Sequence, residues 1–119
     1  VRIKGGLLGQ WSVWVKAAVE MLGQAHAVGE EVPAGLLTLD AELTDANGAI
    51  FDVANDFAGC IAGCHEILRR QGLLENTVLL DPDETLGPGQ AAELDRIARA
   101  YPHLTDDSFV AANLDRWLA

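Results

Sequence analysis

Positive charge is scarce in this sequence: eight lysines and arginines stand against eighteen aspartates and glutamates, for a formal net charge of -10. A surface this negative repels phosphate backbones, so nucleic acid is not an expected partner without a local basic patch. The adjacent pair Arg69 and Arg70 falls instead where the last turn of a helix favours cations. Cysteine is equally sparse. Cys60 and Cys64 make no disulfide framework, and on a helix their spacing puts them on one face with Cβ atoms poorly directed for a bridge. Free thiols fit a reducing compartment, and the cytoplasm is the expected location. No apolar run approaches the roughly 18 residues needed to span a bilayer, and no signal-peptide pattern opens the chain. A membrane is therefore not an expected partner. Methionine occurs once, at Met21, and the sequence opens on Val1. It reads as a piece of a longer polypeptide.

Apolar residues are plentiful, at 50% of 119 residues, enough for one core that buries about two-thirds of the unfolded surface. Their periodicity is helical almost throughout. Residues 1–9 alternate apolar and basic before a glycine pair, as the end of a strand or a loop would. From 10 to 27 a stripe of Trp11, Val15, Ala18 and Leu22, widened by Trp14 and Val19, predicts a first helix. Gly29 and Pro33 punctuate the chain. Leu36, Leu39, Leu43, Ala46, Ile50, Val53 and Phe57 then alternate steps of three and four, which predicts one helix of about six turns. Its opposite face carries Asp40, Glu42, Asp45, Asn47, Asp52, Asn55 and Asp56. A third helix follows Gly59 and closes on Arg69-Arg70, with Gly72 placed for a left-handed cap and Leu73 for its hydrophobic contact. Residues 73–87 read as a connector, with an extended piece from Thr77 to Leu80. Pro88 suits the first position of a fourth helix, which would bury Ala91, Leu94, Ile97, Ala98 and Tyr101 until Pro102 stops it. Thr105 is the expected cap of a fifth, whose apolar side is Phe109, Val110, Leu114, Trp117 and Leu118.

Reactive constellations are few. Zinc needs three or four converging ligands. Cys64 and His65 are neighbours, about 100° apart around a helix, and His26 and His103 are distant in sequence. Asp81, Asp83 and Glu84 lack the glycine and the distal glutamate of a calcium loop. No metal and no cofactor is expected. The glycines at 5, 6 and 9 do not have phosphate-loop spacing, and no nucleophile elbow is present. Lys4 has two readings: an exposed lysine, or a Schiff-base lysine of the kind that captures a carbonyl compound. The stripe holding Asp45, Asp52 and Asp56 is ordinarily a solvated face. Were that helix to lean over a larger body, Asn47 and Asn55 would face a substrate.

The stretch LTDANGAIFDVANDFAGCIAGCHEILRRQGLL (residues 43–74), with residues 80–118 after it, resembles the C-terminal portion of a bacterial branch of the dihydrodipicolinate synthase/N-acetylneuraminate lyase family. The similarity lies in the helix closing on Arg69-Arg70-Gln71-Gly72-Leu73-Leu74, the Asp81-Pro82 connector and the helix after Gly87-Pro88. It implies a mainly α segment of about five helices, with at most one strand fragment, from a (β/α)8-barrel class I aldolase or lyase. Such enzymes bind pyruvate or another 2-oxo acid as a Schiff base on a barrel lysine, with a tyrosine assisting proton transfer. Neither residue has a counterpart carried over here. On this reading residues 1–9 lie near the last barrel strand or its exit, and residues 10–119 are a helical region packing on the remainder of the barrel and in a homo-oligomer. A second reading is a stand-alone helical interaction module without catalysis. A third is a metal-binding regulator using Cys64 and His65.

Overall fold

A computed structural model describes residues 4–6 and 9–119. The helices are α1 (Val15–Ala27), α2 (Ala34–Ile50), α3 (Cys60–Arg70), α4 (Gln90–Ala100) and α5 (Asp107–Trp117), with 3-10 turns at Gly9–Trp11, Val53–Asn55 and Pro102–Leu104. Among the described residues there is no strand, so the fold is mainly α. Residues 1–3, 7 and 8 of the expected strand end or loop lie outside the described residues, and 4–6 have no regular structure. Residues 77–80 are irregular rather than a strand, with Leu80 fully exposed. No helix is long and apolar enough to cross a membrane among the described residues.

The centre of the fold is the packing of α2 against α4. Ala46 and Ala49 present small side chains that let the two backbones approach, and Ile50, Leu94 and Ile97 close the space between them. Leu104 from the 3-10 turn after α4, Ile67 from α3, and Val13 and Trp14 ahead of α1 complete the buried cluster. A polar clasp lies beside it. Arg96 donates to both carboxylate oxygens of Asp45 at 2.8 and 2.9 Å, and the Tyr101 hydroxyl donates to the same group at 2.7 Å. These bonds, with that from Arg96 the largest, hold the Asp45 carboxyl below its usual range. Asp45 is thus an interhelical partner on a face that stays solvated, its side chain 41% exposed.

The long helix read from the sequence ends earlier than its periodicity suggests. α2 stops at Ile50, and Asp52 turns into the left-handed region with φ 55°, which short polar side chains tolerate best. Val53 and Phe57, expected inside, are 52% and 55% exposed. α1 likewise begins at Val15 instead of residue 10, because Trp14 adopts φ 51° while remaining buried. This shifts the inward face to Val13, Trp14, Ala17 and Ala18 and leaves Val15 and Val19 exposed. The boundary is set from far away: the Asp106 carboxylate accepts the Lys16 backbone N–H at 2.9 Å, satisfying one orphan donor of the first turn of α1.

Asp106, not Thr105, also occupies the position preceding α5. The Thr105 hydroxyl donates to the Pro102 carbonyl at 2.9 Å. Pro88 does not open α4. Gly87, Pro88, Gly89 and Gln90 form a hydrogen-bonded turn with Gly89 at φ 81°, the arrangement of Pro then Gly in a type II turn. Ala91, expected inward, is exposed. The close of α3 follows its expectation. Gly72 has φ 78°, its N–H reaches the Arg69 carbonyl at 3.0 Å, and the Leu73 N–H reaches the Leu68 carbonyl at 2.9 Å, as a Schellman cap requires.

Two glycines inside helices have opposite surroundings. A Cβ on Gly63 would overlap the Ile50 carbonyl oxygen, whereas one on Gly48 would meet nothing within 4 Å. Gly63→Ala is expected to destabilise by about 2–3 kcal/mol, and Gly48→Ala to stabilise by about 0.5–1 kcal/mol. Urea denaturation of both variants checks this, and equal shifts would remove the packing argument.

Glu66, only 8% exposed, accepts from Arg69 at 2.7 and 2.9 Å and from Arg70 at 2.8 Å. The Arg69 bond is the main cause that draws its carboxyl from 4.5 down to about 2. A carboxyl whose folded pKa is depressed contributes stability above its unfolded pKa and loses it as pH falls through the folded one. Stability is therefore expected to decline between pH 4.5 and about 2. Glu66→Gln should flatten that part of the acid profile, and an unchanged slope would contradict the assignment.

Candidate functional site

The densest polar cluster lies where the end of α2, the start of α3 and the start of α4 meet. An α-helix leaves its last carbonyls without internal partners, and here the Gln90 amide meets them. Gln90 is 2% exposed. Its Nε2 lies 3.3, 3.1 and 3.0 Å from the carbonyls of Ala49, Ile50 and Gly59, and its Oε1 accepts the Gly87 N–H at 2.9 Å. The neighbouring Asp52 carboxylate accepts the Gly59 N–H at 3.0 Å and the Asn55 Nδ2 at 2.6 Å. A side chain at Gly59 would overlap Gln90, and one at Gly87 would overlap Asp52. The glycines are needed for this close approach.

These bonds leave little chemistry to spare. Asn55, a candidate substrate ligand, commits its amide to Asp52 and to the Pro88 carbonyl at 3.4 Å. The adjoining recess of about 630 Å3 is lined in part by Asp45, Asp52, Asn55, Glu93 and Arg96, three carboxylates to one guanidinium. Arg96 serves Asp45 and also Glu93 at 2.8 Å. Asn47, the other candidate amide, has different neighbours. Its Nδ2 lies 3.8 Å from where a Gly9 Cβ would stand, and its Oδ1 is buried with no hydrogen-bond partner among the described residues. The two amides do not converge on one site.

The thiols line a second recess of about 560 Å3, with Phe51, Phe57, Ile61, His65 and Leu68 around it. Both cysteines are free. Burial, reinforced by the neighbouring Cys60, pushes the Cys64 thiol up to about 11, the opposite of what a nucleophile or a metal-ligating thiolate requires. The His65 Nδ1 is buried without a hydrogen-bond partner among the described residues. No group of three or more His, Cys, Asp or Glu stands ready to hold a metal ion among the described residues. Lys4 is exposed, and its carbonyl lies 3.1 Å from the His26 Nε2. The other lysine, Lys16, pairs with Glu20 and lies 5.8 Å from the centre of the Phe109 ring.

Gln90, Asp106 and the Asp45–Arg96 pair have structural roles that sequence reading missed. Each works across 31 or more positions, where helical periodicity carries no signal. Gln90 had one local clue, its place just after Gly87-Pro88-Gly89 at the head of a helix.

Searches against protein-family models, curated proteins and solved structures return no match for this chain.

The raised Cys64 pKa makes its alkylation measurable as a structural probe. At pH 8 iodoacetamide should modify Cys64 on the order of a hundredfold more slowly in the folded chain than in urea, since thiolate is the reacting form. Equal rates, followed by peptide mass spectrometry, would show the thiol to be exposed and normal.

Proposed function

We propose that this chain is the helical covering part of a Schiff-base-forming, pyruvate-type aldolase or lyase of the dihydrodipicolinate synthase/N-acetylneuraminate lyase kind. Its role is scaffold and subunit packing, and the reacting lysine and the 2-oxo acid site lie elsewhere in the longer protein. The observation that carries this reading is the uncovered apolar group Val53, Phe57 and Ile61, exposed by 52%, 55% and 49%, of which Phe57 and Ile61 line the thiol recess. Asp56 and Phe57 both adopt positive φ there, at 54° and 65°. Non-glycine residues enter that region at a cost. An apolar edge held outward at such cost suits a surface that another body covers. The resemblance over residues 43–74 and 80–118 supports the same division of labour.

The stand-alone interaction module has its own supporting observation. Phe109 and Trp117 pack edge to face at 5.6 Å while remaining 39% and 43% exposed, and Leu118 beside them is 61% exposed. Such a face suits self-association. Chemistry separates the two readings. Borohydride reduction of the longer natural polypeptide with pyruvate should leave a mass-tagged lysine other than Lys4 or Lys16. No adduct on any lysine would remove the aldolase reading and leave the module.

A further inference from the structure

Helices α1 and α2 follow one another in the chain but do not form a packed pair: each finds its close neighbours elsewhere. Between them runs an open groove of about 730 Å3. Met21, Leu36, Leu39 and the wholly buried Leu104 supply apolar lining, and Ala17 and Gly35 keep the walls low. Three carboxylates stand on the rim with one imidazole, that of His103, among them. Glu20 stands on the α1 wall, Glu42 on the α2 wall and Glu31 at the connecting end. Glu20 is shared with Lys16 and Glu42 with His103, while Glu31 has no side-chain bond or ion pair among the described residues.

We propose that this groove seats a single amphipathic helix whose apolar ridge lies along Met21, Leu36 and Leu39 and whose flanks carry Lys or Arg. Two helices whose facing apolar side chains line an open groove leave space that a third helix fills, ridge into groove. Charge complementarity chooses among helices. Basic side chains lay their aliphatic stems over the apolar edge and reach the carboxylates with their heads, while an acidic flank meets repulsion at both walls and from the net charge of -10. The groove is separate from the Val53–Phe57–Ile61 edge, so the proposal does not depend on the aldolase reading.

The test is fluorescence anisotropy of labelled peptides about five helical turns long, sharing one leucine ridge and flanked by either lysine or glutamate. The lysine peptide should bind the chain at least about tenfold more tightly than the glutamate peptide, and the difference should shrink as salt is raised. Glu31→Gln with Glu42→Gln should bring the lysine peptide to within a few-fold of the glutamate one. Thr38→Trp, a bulky change at an exposed residue of the groove, should abolish binding of both, with helical circular dichroism unchanged. Equal affinity for the two peptides, or binding indifferent to Thr38→Trp in a folded variant, would overturn the proposal.

Discussion

The carboxamide of Gln90 is the interaction on which the arrangement of α2, α3 and α4 rests. A helix end pointing into protein brings unsatisfied carbonyls that burial would make costly. Gln90 approaches those of Ala49 and Ile50, adds that of Gly59, and ties back the turn before its own helix through Gly87. Asp52 performs the matching task for the donors of the loop, receiving Gly59 and Asn55. Neither residue is free to react. The cluster that most resembles an active site by polarity and burial is occupied in holding three helices together.

That arrangement explains why periodicity alone took α2 too far. Steps of three and four continue through Val53 and Phe57, but the segment Asp52 to Gly59 is rich in Asp, Asn and Gly, residues that bond their own backbone and accept left-handed geometry. Local turn chemistry overrode the apolar rhythm there. Helices α3 and α4 were legible because their signals are local: Gly72 after Arg69-Arg70, and a run from Leu94 to Ile97 ahead of Pro102. The start of α1 was not legible, since its boundary depends on Asp106 and on a buried Trp14 in an uncommon conformation. The candidate residues fared unevenly for the same reason. Asn47 and Asn55 share a polar stripe in sequence, yet the turn at Asp52 sends them to separate neighbours.

The chain has a closed centre and an uncovered outside. Its inner face is closed by Ile50, Leu94, Ile97 and Leu104, all within 1% of complete burial. Outside that closed centre, apolar side chains remain on the Val53–Phe57–Ile61 edge and around Phe109 and Trp117. Exposed apolar area of this kind is a cost unless something covers it.

The bond from the Lys16 amide to Asp106 spans 90 positions of the chain. During synthesis α1 leaves the ribosome long before the carboxylate that pins its first turn, so that turn stays unpinned until residue 106 emerges. Asp106, at the head of α5, thus acts as a latch on α1, and the front helix cannot lock until that carboxylate has been made.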